Sequence, residues 1–225
     1  AIFGVLPFAI IDLAFFSANS VKLFDGGWFP LVFGLGVYLL MSSWKQGRDL
    51  LEAHLAAEAI DTQSFIQGTA GVTRVPGTAV YLTHNPDSVP HSMLHSLKHY
   101  KALHERIVLV SVKILDIPRR ADPREWLTVD GLPGDCWQVT AFCGFMEEPN
   151  LPESLEGCAD QGLPIDPMDT SFFLGREMLI PHLDSSKWSW RSKVFIAMFR
   201  NAGSAASYFG LPANRVVELG TQVDL

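Results

Sequence analysis

The 225-residue sequence has few cysteines, no excess of positive charge and, before Trp44, almost no charge at all. Its net charge of −7 provides no basic field to attract phosphate backbones, so no nucleic-acid partner is expected. The three cysteines form no C-x-x-C pair, which argues against a disulfide framework and indicates reduced thiols. The G-x-S-x-G, P-loop and G-x-G-x-x-G motifs are all absent, so the sequence predicts neither an enzyme nor a bound cofactor or metal.

Two apolar segments occupy the start of the sequence. Residues 26–44 carry no charge, and as a helix they span about 28 Å, close to the thickness of a bilayer's hydrocarbon core. Residues 1–21 carry one charge, and the polar turn at 22–27 is short enough for a hairpin. We therefore expect an α-helical transmembrane hairpin over residues 1–45. A buried helical hairpin in a soluble core is the alternative.

The flanking charges predict how this hairpin is oriented. Lys45 and Arg48 follow the second segment, whereas Lys22 in the turn is offset by Asp25. Positive charges favour the cytoplasmic side, so the turn is expected outside and the rest of the chain in the cytoplasm. The chain begins at Ala1 without a methionine, so we expect it to be part of a longer protein with further membrane helices.

Asp12 is the one ionisable residue inside the first apolar segment. Such a residue costs at least about 2.5 kcal/mol to insert, so it usually faces protein or a water-filled path. Two interpretations remain open. Asp12 lies on an ion or proton path, or it forms an interhelical hydrogen bond near the cytoplasmic end, with Asn19 or another helix as its partner.

The remaining sequence predicts an amphipathic linker helix at 46–72 and a cytosolic α/β mixed-sheet domain at 73–225. A helix at 90–103 between two β-rich runs indicates a parallel strand pair. The turn signal at 130–135 indicates a β-hairpin. The expected strands are 79–82, 107–115, 126–129, 137–142, 171–174, 178–180 and 216–223, and the other expected helices are 150–162 and 187–209.

Few side chains in this domain suggest chemistry. His91, His95 and His99 share one helical face, but ordinary hydrogen bonding explains them better than a metal site, because no carboxylate stands between them. Glu147 and its neighbour Glu148 precede an expected helix start, where acidic groups suit the helix dipole.

Arg176 and Arg215 are the candidate ligand-binding residues of the domain. Each has an acidic residue nearby in the sequence, so ion pairs with Glu177 and with Glu218 are one interpretation. A role in binding an anion or a nucleotide is the other.

Several sequence strings resemble the Kup/HAK/KT family of potassium uptake transporters. Together they run through essentially the whole chain in the family's order. They are DLAFFSAN at 12–19, GGWFPL at 26–31, RVPGTAVYLT at 74–83, LKHYKALHERIVLVSV at 97–112, GFMEEPNLP at 144–152, TSFFLGRE at 170–177 and NRVVELGTQVDL at 214–225.

The resemblance implies a potassium importer coupled to proton entry, K+:H+ symport, in the bacterial inner membrane. It implies that the hairpin is the last pair of helices of an inverted-repeat transporter of the amino-acid/polyamine/cation (APC) type, with the potassium ligands on helices outside this chain. Asp12 matches an acidic residue proposed for the family's ion or proton path. In a distant branch of the superfamily an analogous cytosolic domain binds a nucleotide and dimerises. By that analogy a homodimer is one expectation here.

Two other hypotheses stay open at this point. A membrane-anchored enzyme would carry its chemistry in the histidine-rich region at 91–104. A membrane-anchored sensor domain would bind a small ligand independently of transport.

Overall fold

The computed structural model describes residues 2–57, 59–122, 124–180 and 190–224. The chain begins with two long helices, α1 (Ile2–Val21) and α2 (Trp28–Ala57), joined by a short π-helical segment, Leu23–Gly27. The break between them lies at Asp25 and Gly26, whose backbone angles are not helical. Gly26 has φ +113°, which glycine adopts without steric cost. The expected turn therefore lies where the sequence placed it.

The surfaces of these two helices are apolar and almost entirely exposed between residues 6 and 41. Large side chains from Leu6 to Met41 stay exposed along the described chain, among them Phe8, Phe16 and Phe33. By length and composition the helical stretch Leu23–Ala57 is able to cross a membrane, with a mean hydropathy of 1.5 over its most apolar 18 residues. Soluble core helices bury such surface, so the exposure argues against the soluble hairpin.

A linker follows, and it is not the single helix that the sequence predicted. α2 continues without interruption to Ala57, well past the expected boundary at residue 45. A separate short helix, α3 (Thr62–Gly68), then begins at Asp61, whose carboxylate accepts a hydrogen bond from the Ser64 amide. The first strand starts at Thr73.

The rest of the chain folds as a six-stranded sheet with helices on both faces. The strand order is β3-β4-β2-β1-β5-β6, and only β3 runs antiparallel to its neighbour. The elements are β1 (Thr73–Leu82), α4 (His91–Tyr100), β2 (Ala102–Leu115), β3 (Leu127–Leu132), β4 (Cys136–Gly144), α5 (Leu151–Glu156), β5 (Thr170–Ile180), α6 (Trp190–Arg200), α7 (Ala205–Tyr208) and β6 (Val216–Asp224).

The α/β prediction is confirmed in its main features. β1 and β2 are parallel with α4 between them, and β3 pairs with β4 as an antiparallel hairpin. One expectation was wrong: the two strands expected at 171–174 and 178–180 form one strand, β5.

The helix expected at 187–209 also differs from the structure. Its first three residues lie outside the described residues. The remainder is α6 and α7, separated by an irregular stretch before Ser204, whose hydroxyl caps α7.

The outer pair of strands, β5 and β6, extends well beyond β1. β1 pairs with β5 only from Thr78 to Tyr81, whereas β5 and β6 stay paired as far as Ile180 and Asp224. Near that end Leu179 and Val223 are buried. This extension brings the carboxyl ends of β5 and β6 to the C-terminal part of α2, residues 43–57.

Candidate coupling junction between the apolar helix and the sheet domain

The C-terminal part of α2, residues 43–57, carries one buried face. Ser43, Gly47 and Leu51 follow one another at intervals of four residues, which places them on one side of a helix. Both Ser43 and Leu51 are 1% exposed. This face packs against α6, so the helix that contains the uncharged stretch also forms part of the sheet domain's core.

Gly47 allows α2 and α6 to approach each other closely. The Phe195 ring lies directly over the Gly47 backbone, and a Cβ at position 47 would lie 2.2 Å from the ring's Cγ atom. The ring is itself 2% exposed and packs edge-on against Trp44, with ring centroids 5.6 Å apart. Any residue other than glycine at position 47 would therefore displace the Phe195 ring or move α6 away from α2.

A polar contact fixes the start of α6 on α2. Arg191 donates from Nη2 to the Ser42 hydroxyl at 2.5 Å and from Nε to the Ser43 hydroxyl at 3.3 Å. The contacts then advance in the same direction along both helices, from Arg191 on Ser43 to Phe195 on Gly47. Helix α6 therefore runs parallel to α2, away from the uncharged stretch.

A small apolar cluster joins these helices to the sheet. Its members are Leu51 from α2, Phe195 and Ile196 from α6, Leu179 from β5 and Val223 from β6. Burying a side chain of this size contributes roughly 1.5–3 kcal/mol. The junction is therefore a packed apolar contact that joins α2 and α6 to the carboxyl ends of β5 and β6.

Asp12 lies inside α1, away from the turn that follows Val21. It is about 14–15 Å along the helix axis from both Ile2 and Val21. The side chain is exposed and makes no hydrogen bond or ion pair within the described part of the chain. The hydrogen bond to Asn19 considered from the sequence is therefore not formed within the described chain, and the role and membrane depth of Asp12 stay predictions.

The structure does not bring Arg176 and Arg215 together. Phe172 pairs with Val216 and Arg176 with Gly220, which separates the two arginines by about 13–17 Å along the strands. Arg176 pairs with Glu218 at 3.4 Å, a combination that the sequence did not indicate. Arg215 makes no ion pair among residues that the structure describes, so its expected partner was wrong.

The histidines of α4 lie in line but do not converge. The rings of His95 and His99 are 5.9 Å apart between centroids. Burial, followed by the charges of His99, Lys98 and His91, lowers the pKa of His95. Across the described ranges no three metal-ligating side chains come close enough to hold an ion.

Glu147 has a different partner from the one the sequence suggested. Its Oε2 atom lies 2.6 Å from Nε of Arg120, a side chain that is 3% exposed, and accepts a hydrogen bond from the Gly144 amide at 2.9 Å. The helix cap is instead Asn150. The capping interpretation was therefore wrong for Glu147, which ties together the loops that follow β2 and β4.

Beside this ion pair lies an open depression of about 410 Å³. Its lining includes Arg120 and Glu147, and neither Arg176 nor Arg215 belongs to it. The two candidate ligand-binding arginines therefore do not line this depression.

The Glu147 carboxyl is expected to make the domain acid-sensitive. Burial would raise its pKa, but the Arg120 and Gly144 amides and the Arg120 guanidinium lower it to about 2. A folded-state pKa below the ordinary value stabilises the fold fully above about pH 4.5, and this stabilisation is lost as the pH falls towards 2. Glu147→Gln should lower the free energy of unfolding at pH 7 by about 3 kcal/mol, because Arg120 is left buried and unpaired.

Urea denaturation at pH 7 and pH 3 checks this expectation. Glu148→Gln is the matched control, because Glu148 is exposed and its substitution should change neither value. Equal stability of Glu147→Gln and the parent at pH 7 would contradict the role of the ion pair.

The chain matches two domains of one transporter family. Residues 1–49 match the K+ potassium transporter integral membrane domain, and residues 76–225 match the K+ potassium transporter C-terminal domain. No solved structure matches the chain.

Curated relatives agree with this assignment. The chain is 55% identical to "Probable potassium transport system protein Kup 3" of Dechloromonas aromatica (strain RCB), over 100% of this chain and 36% of that protein. It is 50% identical to Kup 1 of the same organism, over 97% of this chain and 35% of that protein. It is 46% identical to Kup of Azoarcus sp. (strain BH72), over 100% of this chain and 35% of that protein.

The chain spans about a third of the length of these curated relatives. Their names describe transport proteins and not enzymes, in agreement with the expectation from the sequence. The matched regions include the uncharged stretch of α2 and all of the sheet domain except the first residues of β1, in the family's order. The chain belongs to the K+ potassium transporter family, the family of the Kup proteins.

Proposed function

We propose that this chain is the C-terminal part of a potassium uptake transporter that carries K+ into the cell with H+, K+:H+ symport, across the bacterial inner membrane. The family match over residues 1–49 and 76–225 is the observation that carries the proposal. The exposed apolar surfaces of α1 and α2 support it, because further membrane helices or lipid would cover them. Potassium ligands then lie on helices of the protein outside this chain.

The proposed organisation has three parts. Residues 1–45 form a hairpin, the last two helices of an APC-type membrane domain. Residues 46–72 form a linker, and residues 73–225 form a cytoplasmic domain. Lys45 and Arg48 at the end of the uncharged stretch favour this orientation.

The sheet domain has a regulatory or structural role in this proposal. The support is the junction, in which α2 passes from the uncharged stretch into the domain core without a break. An independent sensor would not need such a contact with the membrane helix.

An anion-binding role for Arg176 or Arg215 stays a prediction. A homodimer stays a prediction as well, and light scattering of the solubilised protein tests it.

Growth of a bacterium that lacks its own potassium uptake systems tests the transport proposal. The full-length protein should restore growth at low potassium, and a protonophore should abolish the uptake of rubidium. The 225-residue chain alone should restore nothing. No growth despite normal membrane levels of the full-length protein would overturn the proposal. Rescue by the 225-residue chain alone would overturn the placement of the potassium ligands outside it.

A further inference from the structure

Three histidines of α4 lie along one side of the helix. His91, His95 and His99 recur at intervals of four residues, and α4 contains no acidic residue. The sequence suggested ordinary hydrogen bonding for them, but none of the three side chains makes a hydrogen bond or an ion pair within the described part of the chain. Their ring nitrogens are therefore open to a ligand from outside it.

The rings of His95 and His99 are close enough to share one metal ion. Their centroids are 5.9 Å apart. A nitrogen ligand lies about 2.0–2.1 Å from a zinc ion, which puts each ring centroid roughly 3.2 Å from the ion and two ligand rings up to about 6.4 Å apart. A tetrahedral angle at the ion brings the two centroids to about 5.2 Å. Rotation of the exposed His99 ring supplies the remaining distance.

The backbone that carries this pair is fixed on the sheet. Ser92, Met93 and Ser96 are buried, and α4 contacts β2, β5 and β6. Ligands on a packed helix keep their spacing before an ion arrives, which lowers the entropy cost of binding.

The last turn of α4 would gain stability from an ion at this position. The helix ends at Tyr100, and Lys101 directly after it has φ +58°, in the left-handed region. A residue with a side chain is strained there relative to glycine. An ion that bridges His95 and His99 would hold this turn against fraying from its strained end.

We propose that His95 and His99 form a binding site for a divalent transition-metal ion, with water in its remaining positions. Imidazole suits zinc, copper and nickel, whereas magnesium takes oxygen ligands. Two protein ligands make a weaker site than the closed sites of structural zinc, so the ion exchanges with solvent. The site belongs to the sheet domain, and it does not depend on the proposed transport of potassium.

Metal titration of the full-length protein without a polyhistidine tag tests the proposal. Calorimetry with Zn2+ measures the affinity, and Mg2+ should not compete. His99→Gln should weaken the zinc site about tenfold or more, because even the loss of a residue behind a ligand typically costs 10–100-fold in affinity. His95→Gln should have the same effect. His99 is exposed, so its variant should fold like the parent.

His91→Gln is the matched control, because it removes a histidine from the same side of α4 and leaves the pair intact. Its zinc affinity should equal that of the parent. Cu2+ gives an independent reading, since electron spin echo spectroscopy counts the imidazoles bound to it. At one Cu2+ per protein or less, the parent should show two imidazoles on one ion and His99→Gln only one.

Three outcomes would overturn the proposal. They are equal zinc affinity of the parent and His99→Gln, a copper signal from a single imidazole in the parent, and an equal loss of affinity with His91→Gln, which would remove the assignment to the His95 and His99 pair. Rubidium uptake reports on the proposed transport separately, so a failure there leaves the metal test unaffected.

Discussion

Gly47→Leu is expected to detach α6 from α2 and to abolish growth rescue by the full-length protein at low potassium. Even a Cβ atom at this position would lie 2.2 Å from Cγ of Phe195, far inside van der Waals contact. Leucine favours helices by almost 1 kcal/mol over glycine, but this gain is too small to offset the clash. Overpacking costs about 1–3 kcal/mol, and separation of the helices would expose further apolar side chains at roughly 1.5–3 kcal/mol each.

Thermal unfolding of the purified full-length protein and its rubidium uptake measure the effect. Gln46→Leu is the matched control, because it adds the same side chain to the neighbouring, exposed position of the same helix. That variant should unfold and transport like the parent. Full transport by Gly47→Leu at normal membrane levels would show that the junction does not matter for transport.

A double-mutant cycle identifies Phe195 as the partner of Gly47. Phe195→Ala alone removes a buried ring, which typically costs 3–5 kcal/mol. In the background of Phe195→Ala, the leucine of Gly47→Leu has space for its side chain. The double variant should therefore lose clearly less stability than the sum of the losses of the two single variants. Strict additivity would mean that the two residues act independently.

The sequence predicted the sheet domain well where local signals determine structure. The parallel pair β1 and β2 followed from a helix between two β-rich runs, and the hairpin of β3 and β4 followed from its turn residues. The prediction failed at Gly175, where a glycine and two charged residues suggested a break in a strand. Pairing with β6 along its whole length keeps β5 continuous, and this pairing is not visible in local sequence.

The contacts of Glu147 and of the junction were missed because they join distant parts of the chain. Glu147 reads as a helix-capping residue locally, but its partner Arg120 lies 27 positions away. Gly47 and Phe195 are 148 positions apart in the sequence, as are Ser43 and Arg191. The repeat of Ser43, Gly47 and Leu51 at four-residue intervals was the available signal, since it marks a packed helix face beyond the uncharged stretch.

Asp12→Asn is expected to lower rubidium uptake by the full-length protein roughly tenfold or more, the factor that corresponds to about 1.4 kcal/mol in an activation barrier. Asparagine keeps nearly the same shape and can still form hydrogen bonds, but it cannot carry charge or exchange a proton. In the proposed APC-type membrane domain ions bind near the midplane, and Asp12 lies well inside α1 and away from its C-terminal end at Val21. The loss should therefore fall on transport and not on folding.

Membrane abundance distinguishes this role from a structural one. A charged aspartate costs about 2.5–3.5 kcal/mol at the centre of a membrane helix, so its neutral replacement should insert at least as well. Asp12→Glu, which keeps the carboxyl, should retain part of the activity. Asp25→Asn removes the other acidic group of the N-terminal segment, at the exposed turn, and should leave uptake unchanged. If Asp12→Asn transports like the parent at equal abundance, Asp12 lies outside the ion and proton path, and a hydrogen bond to another membrane helix becomes the explanation for a carboxyl at this depth.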